Sequence, residues 1–235
     1  MVKFAHFSVR PTRSPSLNSY LLNTNLYNTP RIEPQKRFIV YLEPNKQSKL
    51  YQSILKFYRL SHLHFGANEA HLYHPHCSMT GFISIDTIQS YNLINSIVAT
   101  LKSYKESAYS AIVPNVNGIE LLPTKRKVNL SIEAPFNLHN LVENIVNNCS
   151  TITKVRAKPL HHISLAYLNK HVITNQKLDD AELKALDTLA KATVNLSEVN
   201  DNSLKWDIAF YEQTYQSKHL YESHQFKELY RFSLT

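Results

Sequence analysis

Residues 76–80 (HCSMT) and residues 162–166 (HISLA) decide the fold of this chain, because each carries a histidine and a serine two positions apart on a stretch of alternating character. Residues two apart on a β-strand share a face, so each histidine points the same way as its serine. The residues between them face the opposite side. If two such strands lie close together, two imidazoles and two hydroxyls line one groove.

The alternation also assigns a face to the neighbours of each histidine. We expect Ser78 and Thr80 on the face of His76, and Ser164 and Ala166 on the face of His162. The opposite face, apolar and suited to packing against helices, is predicted to carry Cys77, Met79, Ile163, Leu165 and Tyr167. Because Cys77 faces away from the groove, we do not expect it to act as a nucleophile.

The bare pattern is weak evidence, since a third match occurs at His6-Phe7-Ser8. That match lies in residues 1–36, which contain four prolines and no acidic residue before Glu33, so we predict an irregular leader there. An arginine-bearing, serine-rich and acid-poor leader also resembles a mitochondrial transit peptide. The two cysteines of the chain favour a reducing compartment, which makes the cytoplasm or the nucleus the other predicted location.

The two motifs occupy equivalent places in two similar series of elements. Residues 37–42 (RFIVYL) and 127–133 (KVNLSIE) are predicted strands, and each is followed by a helical stripe and then by a histidine-x-serine strand. The motif histidine comes 38 residues after Phe38 in the first series and 34 residues after Val128 in the second. These near-equal intervals predict an internal duplication. The predicted boundaries are a leader at 1–36, β-α-β-α-β units at about 37–122 and 127–215, and a C-terminal tail at 216–235.

The composition is that of a globular protein with a polyanionic partner. Of the 235 residues, 43% are hydrophobic, and the formal net charge is +8, which favours a partner such as RNA. The three glycines lie far apart, which excludes the glycine-rich loops of dinucleotide-binding and P-loop proteins. No apolar run approaches the ~20 residues of a membrane span. We expect a monomer without membrane contact.

Two polar stretches have alternative interpretations. Residues 125–127 (KRK) form either a solvated loop or a patch that contacts phosphate. Residues 69–76 (EAHLYHPH) carry enough donors for zinc, but they lie in one loop without a second ligand cluster, so we expect no metal and no cofactor. Four histidines in this region either add donors at the mouth of the groove or lie on the surface: His62, His64, His71 and His74. His161 faces away from His162, and we expect it to be structural.

These residue types can cleave a phosphoester without a metal. A neutral imidazole takes a proton from water or a hydroxyl, a protonated imidazole gives one to a leaving oxygen, and serine hydroxyls donate hydrogen bonds to phosphate oxygens. The segments HCSMT and HHISLAYL, their spacing and the duplicated layout resemble the two-histidine (2H) phosphoesterase superfamily over about residues 37–215. The subfamily stays open between cyclic phosphodiesterase and RNA ligase-like proteins, an RNA-trimming nuclease and the phosphoesterase domain of TULA proteins.

The resemblance implies an α+β, bilobal fold, with two pseudo-symmetric antiparallel sheets, outer helices and a central groove. The predicted site consists of His76 and His162 as catalytic residues, Ser78 and Ser164 as phosphate-binding residues, and Thr80 and Phe82 as candidate substrate contacts, with core packing as the alternative for Phe82. The implied activity is metal-independent hydrolysis of 2′,3′-cyclic phosphates of RNA ends or nucleotides. The alternatives are a 3′-to-5′ RNA exonuclease of the same superfamily and a non-catalytic RNA- or protein-binding module.

Overall fold

The computed structural model describes residues 35–168 and 178–234. The strands are β1 (Gln35–Pro44), β2 (Cys77–Ser78), β3 (Ile83–Asp86), β4 (Asn115–Leu122), β5 (Lys127–Glu133), β6 (His162–Tyr167), β7 (Trp206–Tyr215) and β8 (Gln225–Leu234). The α-helices are α1 (Lys49–Phe65), α2 (Thr87–Glu106), α3 (Phe136–Cys149), α4 (Asp180–Thr193) and the single turn α5 (Ser197–Asn200). The predicted leader, including His6-Phe7-Ser8, lies outside the described residues except for its last two positions, which begin β1.

The described strands form two antiparallel sheets, which confirms the predicted α+β class. The first sheet has the order β2-β1-β7-β8. Strands β2 and β3 pair with the same side of β1, β2 near its C-terminal end and β3 near its N-terminal end. The second sheet has the order β4-β5-β6. Helix α1 begins after Ser48, whose hydroxyl accepts a hydrogen bond from the Tyr51 amide. This N-cap satisfies an amide that has no partner within the first turn of the helix.

Residues 38–42 of β1 are all hydrophobic because both faces of the strand are buried there. Phe38, Val40 and Leu42 pack in the main core with the helices. Ile39 and Tyr41 lie on the opposite face, in a smaller apolar cluster. A strand covered on both faces carries an apolar residue at nearly every position rather than at every second one. This is why the stretch RFIVYL lacks the alternation of the two motif strands.

The predicted lobe boundaries, 37–122 and 127–215, are wrong, because the two units exchange their last strands. Strand β4, the last of the first unit, pairs with β5 in the second sheet. Strand β7, the last of the second unit, pairs with β1 in the first sheet. A turn of four residues joins β4 to β5, and strands joined by so short a turn pair as antiparallel neighbours. The duplication is therefore visible in the order of elements but not in the division into sheets.

The predicted tail at 216–235 is also wrong. Residues 225–234 form β8, which pairs with β7 along most of its length and is an edge strand of the first sheet. Three charged side chains, Lys227, Glu228 and Arg231, interrupt the apolar pattern of this segment, as is common on edge strands. Phe232 and Leu234 are nevertheless buried in the main core.

The strand predicted at the first motif, residues 76–80, is interrupted after Ser78. The amides of Met79 and Thr80 both donate to the carbonyl of Val40, at 3.0 and 3.4 Å, so one residue of β1 faces two residues of the partner. The Thr80 hydroxyl fills the resulting gap and accepts a hydrogen bond from the Val40 amide at 3.1 Å. This bulge-like irregularity separates β2 from β3.

No helix among the described residues combines the length and the apolar character that a membrane crossing needs.

Candidate active site

The four residues predicted to form the site border one cavity. His76, Ser78, His162 and Ser164 line a space of about 210 Å³, together with Lys127, Lys158 and Pro159; we call it the histidine cavity. It adjoins a second space of about 180 Å³, the tyrosine cavity, whose walls include Tyr41, Tyr58, Tyr73 and Tyr167. The two cavities share His76, Ser78, Lys158 and Ser164, so they form one continuous cleft.

The register of the two motif strands confirms the predicted faces for the motif residues. In the first sheet Ser78 lies opposite Tyr41 on the cleft side, while Cys77 lies opposite Leu42 and is buried in the core. In the second sheet His162 and Ser164 face the cleft, and Ile163 and Leu165, which alternate with them along the strand, are fully buried. The contact between β2 and β6 brings the two strands together at the cleft.

Two residues at the end of β6 lie on the opposite faces from those predicted. The pairing of β6 with β5 shifts register between Val128 and Asn129, which is a β-bulge. A bulge adds one residue to one strand and reverses the face of everything beyond it. Ala166 is therefore buried in the core, and Tyr167 lies in the wall of the tyrosine cavity.

His76 is held in one orientation. Its ring stacks on the ring of Tyr41, with 3.8 Å between the centroids. Its Nδ1 lies 2.8 Å from the carbonyl oxygen of His74. Because a carbonyl can only accept, Nδ1 must carry the proton and donate it. The neutral ring then keeps its free electron pair on Nε2, which is the atom left to accept a proton.

A buried network of charged side chains holds the side chain of His74 in place. The Glu43 side chain, fully buried, accepts a hydrogen bond from Nε2 of His74 at 2.5 Å and another from Arg231 at 2.6 Å. Tyr211 donates to the same carboxylate at 3.2 Å. Arg231 also pairs with Asp207 at 2.8 Å. The network fixes the backbone carbonyl that orients the His76 ring, so Glu43 is a positioning residue.

His162 is held less firmly than His76. It is half-buried, and its Nδ1 is a buried polar atom for which the described residues offer no hydrogen-bond partner. The ring of His161 contacts it edge-on, with 4.4 Å between centroids. His161 is itself exposed, and its Nδ1 donates to the carbonyl of Pro159 at 3.1 Å. The two motif histidines therefore differ in how their rings are oriented.

Both serine hydroxyls face the cleft without an internal partner. Within the described residues, no hydrogen bond engages the hydroxyl of Ser78 or of Ser164. The backbone at Ser164 is fixed instead, because its carbonyl accepts a hydrogen bond from the Tyr58 hydroxyl at 2.7 Å. Each hydroxyl can therefore donate to a bound anion without breaking an existing bond.

Three cations border the cleft, and sequence reasoning connected only one of them to the motifs. Residues 156–158 pair with residues 79–81: the Gly81 amide donates to the Arg156 carbonyl at 2.8 Å, and the Lys158 amide donates to the Met79 carbonyl at 3.0 Å. This pairing places Arg156 and Lys158 beside the motif histidines. Lys127, from the KRK run, lines the histidine cavity, and the phosphate-patch interpretation of this run stays a prediction. Among the described residues, none that lines the two cavities is acidic.

The side chain of Arg156 packs closely against the backbone at Gly81. A β-carbon there would meet the Arg156 guanidinium at 3.0 Å. The signal available in the sequence was the basic run RAK just before HHIS, but an irregular segment carries no periodicity from which its pairing could be predicted.

The two candidate substrate contacts have different surroundings. Thr80 borders the tyrosine cavity, but it is fully buried and its hydroxyl accepts a hydrogen bond from the Val40 amide, so its contact with substrate stays a prediction. Phe82 is half-buried in the wall of the tyrosine cavity, with the Arg37 guanidinium 4.3 Å from the centre of its ring. Its ring also stacks against Phe226, so Phe82 combines packing with a position at the cleft.

The histidines of the 62–76 region are bound to separate partners. His71 contacts the Ser61 hydroxyl at 2.9 Å and the Asn68 amide at 3.1 Å, whereas His74 contacts Glu43. His64 is exposed. Among the described residues, no three side chains of the metal-ligating types lie close enough to share an ion.

Burial lowers the pKa of both motif histidines to about 4. For His76 the charge of His74 adds to the effect of burial. For His162 the charges of His161 and Lys127 do so. Burial also raises the pKa of the Cys77 thiol to about 12, so this cysteine is not a thiolate at neutral pH. Near pH 7 both motif imidazoles are therefore neutral in the unliganded cleft.

We expect the NMR signals of His76 and His162 to titrate near pH 4 in the free protein. Adding inorganic phosphate should raise the pKa of at least one of them, because a bound anion favours the imidazolium. The measurement is a pH titration of imidazole carbon and proton shifts, with chloride at equal ionic strength as the control. Two titrations near the ordinary value of 6.5, unmoved by phosphate, would contradict the expectation.

The sequence was also compared with known proteins. No protein-family model matches it. No curated protein matches it either. Among solved structures, E. coli LigT in apo form aligns with a TM-score of 0.48 at 11% identity, over 86% of this chain and 99% of LigT.

E. coli LigT complexed with 3′-AMP aligns with a TM-score of 0.48 at 11% identity, over 86% of this chain and 99% of LigT. A crystal structure of a phosphoesterase aligns with a TM-score of 0.46 at 11% identity, over 85% of this chain and 99% of the phosphoesterase chain. All of these TM-scores lie below 0.5, so the alignments carry no argument about the family or the activity of this chain.

Proposed function

We propose that this protein is a metal-independent phosphodiesterase that hydrolyses the 2′,3′-cyclic phosphates of RNA ends or nucleotides. The observation that carries the proposal is the histidine cavity. Two imidazoles, two serine hydroxyls and two lysines border it, and in the part of the chain that the structure describes no acidic residue lines it and no hydrogen bond engages either hydroxyl. Such a cavity suits an anion that must exchange protons with its surroundings.

The reaction needs only water and the side chains of the cavity. One neutral imidazole takes a proton from water as the water oxygen attacks phosphorus. The bond from phosphorus to one ribose oxygen breaks, and the other imidazole, protonated when substrate is bound, gives its proton to that oxygen. The product is an open phosphomonoester, and the two histidines have exchanged protonation states. Nε2 of His76, whose Nδ1 is engaged by the His74 carbonyl, is suited to either role.

The remaining polar groups stabilise charge on the phosphate. The hydroxyls of Ser78 and Ser164 donate to its non-bridging oxygens, and Lys127 and Lys158 supply positive charge. Burial lowers the pKa of Lys158, and a bound phosphate opposes that shift because it favours the ammonium. Binding of the anion therefore strengthens the charges that stabilise it.

We expect wild-type protein to open 2′,3′-cyclic nucleotides at an unchanged rate in EDTA, because the cavity provides both proton transfers without a metal. The measurement is turnover of cyclic mononucleotides and of oligoribonucleotides with free 3′ ends, with identification of the products. The control is the same assay after divalent metal is restored.

Three outcomes would contradict the proposal in different ways. Activity lost in EDTA and restored by metal would refute the metal-free mechanism. Stepwise shortening of oligoribonucleotides from their 3′ ends, without opening of cyclic phosphates, would favour the exonuclease. RNA binding without turnover, retained in His76→Ala and His162→Ala, would favour the binding module.

A further inference from the structure

A third cavity adjoins the cleft on the side of α1. It measures about 780 Å³ and lies between the end of α1, the loop before β2 and the connection from β7 to β8; we call it the α1 cavity. Tyr58 and Tyr73 line both the α1 cavity and the tyrosine cavity. The histidine, tyrosine and α1 cavities therefore form a series in which each member shares walls with the next.

The size of the three spaces limits what the cleft alone can hold. The histidine and tyrosine cavities measure about 210 and 180 Å³, each below the ~300–1,000 Å³ of typical ligand pockets. The α1 cavity lies within that range. Of the three spaces, the α1 cavity is therefore the one whose volume suits a further nucleotide.

The lining of the α1 cavity combines one arginine, four histidines and three tyrosines with four leucines, and no acidic residue among the described residues lines it. Arg59 and His62 are exposed, and no hydrogen bond or ion pair within the described residues engages the Arg59 side chain. Tyr221 is 76% exposed and stacks on His219, and Tyr73 lines both the α1 cavity and the tyrosine cavity. Positive charge together with exposed rings is the combination that binds single-stranded nucleic acid.

We propose that the α1 cavity is a second nucleotide subsite, which binds the nucleotide that precedes the cyclic phosphate in an RNA chain. Arg59 and His62 contact the phosphate that joins the two nucleotides, and Tyr221 stacks on the preceding base. This inference rests on the proposed function and makes it narrower, because it names the end of an oligoribonucleotide, rather than a free nucleotide, as the preferred substrate.

The test compares two substrates and two double variants. The substrates are a 2′,3′-cyclic mononucleotide and a trinucleotide that ends in a 2′,3′-cyclic phosphate. The first variant is Arg59→Ala/His62→Ala. The matched control is Lys56→Ala/His64→Ala, which removes a cation and a histidine from the same helix, both exposed and outside the cavity lining.

We expect wild-type kcat/KM to be about tenfold or more higher for the trinucleotide, because a stacked base and a contacted phosphate add interactions that the mononucleotide lacks. The ratio of the two kcat/KM values should fall about tenfold in Arg59→Ala/His62→Ala and stay unchanged in the control. Equal kcat/KM for both substrates in wild type would overturn the proposal. An equal fall of the ratio in the control would also overturn it, because it would indicate non-specific charge attraction.

A binding measurement keeps the inference separate from the proposed function. If wild type turns over neither substrate, the proposed function fails. A labelled trinucleotide 3′-phosphate should still bind wild type about tenfold more tightly than Arg59→Ala/His62→Ala, with the control like wild type. Loss of this difference would overturn the subsite. Tighter binding of a phosphoserine peptide than of the trinucleotide would overturn its assignment to RNA.

Discussion

The substitutions His76→Ala and His162→Ala should each slow the opening of 2′,3′-cyclic phosphates by about 10²- to 10⁴-fold, which is the usual contribution of one general acid or base. Both rings border the histidine cavity, and both are half-buried rather than part of the core. We therefore expect the variants to fold. The measurement is kcat under saturating substrate, with circular dichroism and the urea midpoint recorded for each protein.

The matched control is His161→Ala, because His161 is adjacent in sequence but exposed and outside the cavity lining. It should retain activity within a few-fold. A comparable loss in His161→Ala, or less than a tenfold loss in either motif variant, would contradict the two-histidine mechanism. The double variant should lose little more than the worse single variant, since residues that act in one step are not additive.

An activated substrate would assign the two roles. A phosphodiester with a nitrophenyl leaving group needs no protonation of the leaving oxygen. The alanine variant that lacks the general acid should therefore recover on this substrate, whereas the variant that lacks the general base should not. Recovery of both variants, or of neither, would indicate that the two histidines do not divide the proton transfers between them.

Replacing Glu43 by alanine should lower the free energy of unfolding by about 3–5 kcal/mol, because it breaks a buried ion pair and leaves the partners without their counter-charge. Glu43 is fully buried, and Arg231, His74 and Tyr211 all contact its carboxylate. The measurement is urea unfolding at pH 7. The control is Glu212→Ala, in the neighbouring strand of the same sheet, where the partner Lys36 is exposed and the expected loss is below about 1 kcal/mol.

The contribution of Glu43 should depend on pH in a defined window. Burial raises the pKa of its carboxyl, but the hydrogen bond and charge of His74 and the charge of Arg231 outweigh this effect and bring the pKa down to about 2. A group whose pKa is lower in the folded state stabilises the fold above its unfolded pKa, near 4.5, and stops doing so as the pH falls through 2. The difference in unfolding free energy between wild type and Glu43→Gln should therefore narrow between pH 4.5 and pH 2. A constant difference across this window would contradict the assigned shift.

The motif residues were predictable because strand alternation is a local property. Where β2 and β6 are regular, the period of two alone assigned the faces of Cys77 and Ile163 correctly. The same rule failed for Ala166 and Tyr167, since a single bulge reverses the alternation and leaves no mark in the sequence around it. Thr80 has the parity of a cleft residue, but the irregularity between β2 and β3 turns its hydroxyl to the backbone of β1.

The residues that the sequence did not reveal come from contacts between distant segments. Arg156 and Lys158 reach the cleft because an irregular stretch pairs with residues 79–81, and no local pattern encodes that pairing. The network around Glu43 joins β1 to β8, two strands that lie at opposite ends of the described chain. Strand exchange likewise depends on long-range pairing, so the intervals along the chain indicated the repeat but not the division into sheets.

The exchange of β4 and β7 also sets the order of events during synthesis. Arg37 of β1 pairs with Gln213 of β7, so β1 cannot pair with β7 until almost the whole described chain has left the ribosome. At ~5–20 residues per second, β1 stays unpaired on that side for on the order of ten seconds or longer. During this interval an apolar strand is open to wrong partners, including other nascent copies. Arg231, which completes the network around Glu43 and His74, lies in β8, so this network forms only after the last described strand has emerged.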